Sequence, residues 1–113
     1  MIVREFRVVE GCEKDFELVF RPDGVWAGLL QPRSQGYIGT ELKAVAPKER
    51  RYEVRDLWRS HRSFEVFRDS YQTDVERFRD WLAGKEMIEQ ETFLGAFYSD
   101  EPDEGDDAGL VSA

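Results

Sequence analysis

Two charged residues interrupt apolar strand-like segments, and both have side chains that can act in catalysis or binding. Arg4 breaks the apolar alternation of residues 2–8, and Asp56 breaks that of residues 52–58. A guanidinium on an apolar face needs an anion or hydrogen-bond acceptors. Arg4 therefore pairs with Asp56, lies at an exposed sheet edge, or binds an anionic substrate such as a phenolate.

Aromatic residues with a polar end form the second group of candidates. Trp58 would bury a large area while its indole N–H still needs an acceptor, so the edge of a pocket suits it. Trp26 is a candidate for a pocket lid, and Tyr37, Tyr52 and Tyr71 can each donate a hydrogen bond to a substrate carbonyl. Each of these side chains also fits the apolar stripe of its segment, so packing in the core is the alternative for all five.

His61 is the only histidine of the chain and follows Ser60 at a predicted helix start. The positive end of the helix dipole disfavours the charged imidazole there, and a neutral imidazole can act as a base. The alternative is that His61 faces solvent. The sequence contains no metal-ligand spacing, no glycine-rich phosphate loop and no Ser-His-Asp set, so we expect neither metal nor cofactor.

Length and charge narrow the class of protein. The 113 residues fit one domain, and the net charge is −8. Six acidic residues fall in residues 99–113, which leaves 18 acidic and 16 basic residues, a net −2, in residues 1–98. A nearly neutral domain is poorly suited to binding the phosphate backbone of nucleic acid, which needs a basic surface. The acidic segment 99–113 has the composition of a disordered tail.

Targeting signals and disulfides are not predicted. The N-terminus lacks a basic region followed by a long apolar stretch, and no apolar run approaches the roughly 20 residues of a membrane span. We therefore expect a cytoplasmic protein without a membrane partner. Cys12 is the single cysteine, so no intrachain disulfide can form. We interpret Cys12 as a small buried residue.

The elements that must position these residues follow from hydrophobic periodicity. Alternation predicts strands, and apolar spacings of three and four predict helices. The predicted elements are a strand at 2–9, a helix at 13–31 broken at 22–24, strands at 37–45 and 51–59, a helix from Ser60 or Ser63 to Gly84, and a strand at 92–98. This βαββαβ order predicts an α+β, ferredoxin-like fold with a four-stranded antiparallel sheet and two helices on one face.

The predicted fourth strand also predicts an assembly. Residues 93–97 contain no polar side chain, so both faces of this strand are expected to be buried. The helices cover one face of the sheet only. A second copy of the chain would cover the other face, because a two-fold dimer makes the apolar patch self-complementary.

Several segments carry a resemblance to a known family. They are residues 36–42, 51–52, 56–60, 63–68 and 94–97, and they include the pattern Trp-x-Ser-x-x-x-Phe-x-x-Phe that begins at Trp58. With these segments residues 1–98 resemble the antibiotic-biosynthesis-monooxygenase group of dimeric α/β-barrel proteins. The resemblance implies a homodimer in which two sheets pack face to face. It also implies a pocket in each subunit between the sheet and the helices.

The resemblance implies several activities. Similar proteins oxidise phenolic polyketides with oxygen and without metal or flavin, and others cleave haem, isomerise small metabolites or have no established activity. A tryptophan at the place of Trp58 lines the pocket in the haem-degrading and quinone-forming members. Haem-degrading members also have an asparagine on the first strand and a histidine on the second helix. Here Phe6 stands where those members have the asparagine of the first strand. The second helix has no histidine beyond His61, and the chain contains no asparagine.

The sequence thus leads to a cofactor-independent monooxygenase acting on a small aromatic or phenolic compound. The candidate catalytic residues are Trp58, Arg4, Asp56 and Tyr71. The candidate substrate-binding residues are Tyr37, Tyr52, Trp26 and His61. A non-catalytic small-molecule-binding protein and an isomerase or lyase on the same fold are the alternatives.

Overall fold

A computed structural model describes residues 1–98 of the chain. The strands are β1 (Ile2–Val8), β2 (Tyr37–Ala46), β3 (Arg51–Trp58) and β4 (Ile88–Ala96), and the helices are α1 (Glu13–Phe20), α2 (Val25–Leu30), α3 (His61–Ser70) and α4 (Gln72–Gly84). A short 3-10 turn, Pro47–Glu49, joins β2 to β3. The α+β class is confirmed, and the predicted acidic tail lies outside the described residues.

The four strands form one antiparallel sheet in the order β2-β3-β1-β4. This arrangement is compatible with the predicted ferredoxin-like fold. The register places Arg4 opposite Val54, and Thr40 opposite Asp56. Because side chains alternate between the two faces of a strand, Arg4, Thr40 and Asp56 share the face that carries the helices.

The core lies between this face and the helices. Phe6, Phe16, Phe20 and Val54 are fully buried there, and the rings of Phe6 and Phe16 are 5.3 Å apart. Burial of one such side chain stabilises the fold by about 1.5–3 kcal/mol. The strict alternation that predicted β3 is confirmed, since every second residue from Tyr52 to Trp58 is buried.

The predicted break after the first helix is confirmed. The helix α1 ends at Phe20, and α2 begins at Val25 after the sequence Pro-Asp-Gly. A Cβ atom at Gly24 would lie 2.6 Å from the carbonyl oxygens of Leu18 and Val19. The absence of a side chain at Gly24 therefore allows the chain to turn back against the end of α1.

The second predicted helix is two helices. α3 ends at Ser70 and α4 begins at Gln72, with Tyr71 between them at φ −122° and ψ 32°. The backbone N–H of Tyr71 still donates to Phe67, and its carbonyl accepts from Val75. The apolar spacing therefore continues across the break, which is why periodicity predicted a single helix.

The predicted ends of this region are largely confirmed. Ser60 accepts a hydrogen bond from the backbone N–H of Ser63 at 3.1 Å and so caps α3. The helix α4 ends at Gly84 as predicted. The left-handed backbone conformation that follows belongs to Glu86, at φ 53°, and not to the glycine.

The expectation that both faces of the fourth strand are buried is wrong for the single chain. β4 lies at the sheet edge, and Phe93, Leu94 and Phe97 are 64%, 43% and 54% exposed. The strand also begins earlier than the predicted range 92–98. Apolar composition indicated burial, but in the single chain this end of β4 pairs with β1 along one edge and stays exposed.

The helix-free face of the sheet has two parts. Along its middle, Arg51 pairs with Glu5 at 3.0 Å and Arg55 pairs with Glu53. At one end lies the apolar Val3, which is buried. This face is therefore only partly apolar.

Among residues 1–98, every helix is too short or too polar to span a membrane.

Candidate functional site

A buried carboxylate occupies the middle of the helix-facing side of the sheet. Asp56 is 3% exposed and accepts hydrogen bonds from three side chains. Arg4 Nη2 donates at 3.2 Å, Thr40 Oγ1 at 2.8 Å, and Trp26 Nε1 lies 3.0 Å from both carboxylate oxygens. We call these four residues the Asp56 cluster. They come from β1, α2, β2 and β3, so the cluster ties four elements together.

Of the three possibilities for Arg4, the structure shows the internal ion pair with Asp56. The guanidinium carbon of Arg4 also lies 5.2–5.5 Å from the ring centroids of Phe6, Phe20 and Trp26, as in cation–π contacts. Arg4 Nη1 is 3.7 Å from Glu91. The Nε atom is buried and has no hydrogen-bond partner within residues 1–98.

Tyr37 extends the cluster through a threonine that sequence reasoning missed. Its hydroxyl is 2.6 Å from Thr40 Oγ1, and because Thr40 donates to Asp56, the hydrogen of Tyr37 points to Thr40. Burial is the main cause that raises the pKa of Tyr37, and the charge of Asp56 adds to it. Threonine is common in strands, so its type gave no signal.

Trp58 lies next to the cluster in an aromatic surrounding. It is 5% exposed, and its ring centroid is 5.4–5.5 Å from those of Tyr37, Phe64 and Phe67. The Nε1 atom has no acceptor in the described part of the chain. A buried indole N–H normally has a partner, and leaving such a donor unpaired costs about 1–3 kcal/mol.

Tyr98 is a second residue that the sequence did not single out. Its hydroxyl is buried without a partner among the residues described, and its ring lies 5.1 Å from that of His61. Burial, followed by the charges of Asp56 and Glu65, raises the pKa of Tyr98 to about 12. The hydroxyl is therefore protonated at neutral pH and can donate. A tyrosine at a strand end is ordinary, so no signal marked it.

Arg4 Nε, Trp58 Nε1 and the Tyr98 hydroxyl share one property, and we call them the open donors. Each is buried and lacks a hydrogen-bond partner within residues 1–98. Arg4 donates a hydrogen bond to Asp56, and Trp58 lies two residues after Asp56 on the same face of β3. The charge of Asp56 contributes to the raised pKa of Tyr98. Buried polar groups are almost always paired, so each open donor is suited to an acceptor atom of water or of a ligand.

Two predicted site residues lie apart from the cluster. Tyr71 packs on Phe67 with ring centroids 5.5 Å apart, and Phe67 in turn contacts Trp58. Tyr52 lies towards the other end of β3, where its hydroxyl donates to Glu17 Oε2 at 2.6 Å. The structure therefore places neither tyrosine in direct contact with Asp56.

His61 has the surroundings of a surface residue. Its side chain is half-exposed, and Nε2 lies 3.2 Å from Glu65 Oε2, one helical turn along α3. The prediction that it faces solvent fits this position better than a role as a buried base. Its ring contact with Tyr98 still places His61 beside one of the open donors.

The donor set of the cluster does not suit a metal. The oxygens of Asp56 already accept from three donors, and no group of three potential ligands is positioned for a metal among residues 1–98. Cys12 is a half-buried free thiol outside the cluster. The chain matches no family model, and no curated protein matches it.

Proposed function

We propose that this protein is a cofactor-independent monooxygenase for a small aromatic or phenolic compound, similar to the antibiotic-biosynthesis monooxygenases. The observation that carries the proposal is the set of three open donors beside the Asp56 cluster. Donors that find no acceptor in the described chain are suited to an oxygen atom of a ligand.

The surroundings of the donors favour a flat ligand. Trp58 contributes an indole N–H, and the rings of Tyr37, Phe64 and Phe67 surround it at about 5.5 Å. Aromatic side chains pack well against aromatic ligands, while few polar groups fix their orientation. An aromatic compound with a phenolic or carbonyl oxygen combines both requirements.

The open donors also suit the charge that develops in the reaction. The substrate is a methylene compound whose carbonyl lets it lose a proton to water and form an enolate. Arg4 Nε, Trp58 Nε1 and the Tyr98 hydroxyl would stabilise the enolate oxygen by donating hydrogen bonds, since the charge of Arg4 is already paired with Asp56. The residues therefore act by orientation and by electrostatic stabilisation.

The chemical steps balance with oxygen as the sole oxidant. The enolate transfers one electron to O2, and the resulting radical and superoxide combine into a peroxide at carbon. Loss of the second C–H proton and cleavage of the O–O bond release water and leave a carbonyl. The net reaction converts CH2 and O2 into C=O and H2O. Asp56 is a positioning residue, since its oxygens hold Arg4, Trp26 and Thr40.

Oxygen uptake with anthrone-like phenols tests this function. Trp58→Phe and Tyr98→Phe each remove an open donor and keep a ring, so kcat/KM should fall about tenfold, which corresponds to 1.4 kcal/mol. Tyr52→Phe is the matched control, because it removes a tyrosine hydroxyl away from the Asp56 cluster. Oxygen uptake no faster than without protein would exclude the proposal for these substrates.

A non-catalytic small-molecule-binding protein is the second candidate. Two observations favour it: the Asp56 carboxylate is fully engaged by donors, and His61 is half-exposed and paired with Glu65. The same observations count against an isomerase or lyase, which would need a free acid–base pair. Thermal stabilisation by an aromatic ligand without any oxygen uptake would favour this candidate.

The protein would act as a homodimer. Phe93, Leu94 and Phe97 leave apolar surface exposed at one end of β4, and a second copy would cover it. In a dimer whose sheets pack face to face, the ion pairs of Arg51 with Glu5 and of Arg55 with Glu53 would lie inside the interface.

A further inference from the structure

A separate cleft lies where the helices do not cover the edge strand β2. Its volume of about 620 Å³ is within the range of small-molecule pockets. We call it the α1–β2 cleft, and it is lined by Lys14, Glu17, Leu18, Arg21, Pro22, Leu42, Ala44 and Tyr52. Tyr52 and Asp56 are four residues apart along β3, about 13 Å, so the cleft is distinct from the Asp56 cluster.

The floor of the cleft is apolar. Leu42 and Ala44 are on the helix-facing side of β2, opposite Val54 and Tyr52 in the register. Ala44 is exposed and Leu42 is half-buried, and Leu18 of α1 is also exposed. A ligand that rests on these side chains would remove apolar surface from water, so its body should be apolar.

The charges of the cleft lie on α1 and at its C-terminal cap. Lys14 and Glu17 are three residues apart on one face of α1, and Arg21 caps the helix about 10 Å from Lys14 along the helix axis. Arg21 pairs with Asp23 at 3.0 Å, but both side chains are largely exposed, and such pairs are weak. Both cations are therefore available to an anionic ligand.

Tyr52 controls the one acidic side chain among the lining residues. It is buried, its ring packs on Phe16 at 4.9 Å, and its hydroxyl donates to Glu17 Oε2 at 2.6 Å. Burial and the interaction with Glu17 raise the pKa of Tyr52 to about 12, so the hydroxyl remains a donor at neutral pH. The Glu17 carboxylate is thereby held at the wall of the cleft.

We infer that the α1–β2 cleft binds a small amphipathic anion, an apolar body that carries a carboxylate. The body lies on Leu42 and Ala44, and the carboxylate is bound by Lys14 and Arg21. Tyr52 is a positioning residue, because its hydrogen bond partly offsets the charge of Glu17 and keeps that carboxylate in place.

Calorimetry with three matched probes tests the ligand class: 4-phenylbutyrate, 4-phenylbutanol and 4-phenylbutylamine. The acid should bind at least tenfold more tightly than the alcohol, and the amine more weakly than either. An acid that does not bind, or binds no more tightly than the alcohol, would overturn the inference. Tighter binding of the amine would also overturn it, since Glu17 would then dominate the cleft.

Variants test the location. Lys14→Glu with Arg21→Glu should remove the preference for the acid, whereas Lys43→Glu with Lys48→Glu, an equal charge change elsewhere on the surface, should retain it. Ala44→Trp fills the floor at an exposed position and should abolish binding of acid and alcohol. Val66→Trp introduces the same side chain at an exposed position of α3 and should leave binding intact. The cleft is the wrong site if the control variants weaken binding as much as the cleft variants do.

A gain of affinity provides a further test that a merely structural role would not produce. Glu17→Gln keeps an acceptor for the Tyr52 hydroxyl and removes the negative charge, so the acid should bind about three- to tenfold more tightly. Alcohol binding should not change. Equal or weaker acid binding by the variant would contradict the role given to Glu17 and Tyr52.

Discussion

At the scale of single residues, the fold depends on a charge that its core encloses. Asp56 is buried away from water, so hydrogen bonds from Arg4, Trp26 and Thr40 replace the hydration of its carboxylate. The ion pair between Arg4 and Asp56 is therefore costly to break, because either partner alone would be a buried charge.

We predict that Asp56→Asn destabilises the protein by about 3 kcal/mol, because the buried Arg4 loses its shorter ion pair and keeps only the one to Glu91 at 3.7 Å. Urea denaturation of both proteins measures this difference. Asp23→Asn removes the carboxylate of an exposed pair with Arg21 and should leave the midpoint unchanged. Similar midpoints for all three proteins would show that the buried pair does not stabilise the fold.

Trp58 separates a structural role from a binding role. Trp58→Phe should lower the free energy of unfolding by only about 1–3 kcal/mol, since the lost N–H has no acceptor in residues 1–98. It should also reduce the stabilisation by an aromatic ligand, which depends on affinity for the native state. Melting curves with and without ligand separate the effects. A full ligand-induced shift in the variant would remove Trp58 from the site.

The two charged candidates were predictable from sequence because each interrupts an apolar alternation. Arg4 and Asp56 stand out for this reason, and the structure pairs them. Thr40 and Tyr98 were not predictable, since both residue types are ordinary in strands and their importance depends on which strands are neighbours. Pairing between strands is a long-range property that local spacing does not contain.

At the scale of elements, the sequence predicted those features that neighbouring residues determine. The sequence Pro-Asp-Gly breaks the first helix as expected, and the alternation of β3 is confirmed. The break at Tyr71 was missed because backbone hydrogen bonds on both sides maintain the helical spacing. The position of β4 at the edge was missed because apolar composition does not say which neighbour covers it.

Two glycines of one short region give a matched test of the connection between α1 and α2. Gly24→Ala places a Cβ atom 2.6 Å from two backbone oxygens and should cost about 1–3 kcal/mol. Gly28→Ala adds a methyl group on α2, which would meet nothing within 4 Å beyond its chain neighbours and the backbone of its own helix, and should stabilise by about 0.5–1 kcal/mol. Thermal melts of equal midpoint for the two variants would contradict the close packing at Gly24.

At the scale of the whole molecule, the exposed end of β4 determines the expected assembly. Sedimentation at micromolar concentration should give about twice the mass of the chain. Leu94→Glu with Phe97→Glu should produce a folded monomer, because charges would replace the apolar contact. Trp81→Glu changes an exposed aromatic residue on α4 and should leave the dimer intact. A wild-type monomer would exclude the barrel-like dimer.

The open donors have a consequence for the amount of protein that a cell maintains. A ligand whose oxygen atoms accept from these donors binds the native state alone and therefore stabilises it against unfolding. Unliganded copies would therefore unfold more often and be degraded sooner, since proteases act on the unfolded fraction. The half-life of the protein in the cell would then follow the supply of its ligand, without any change in synthesis.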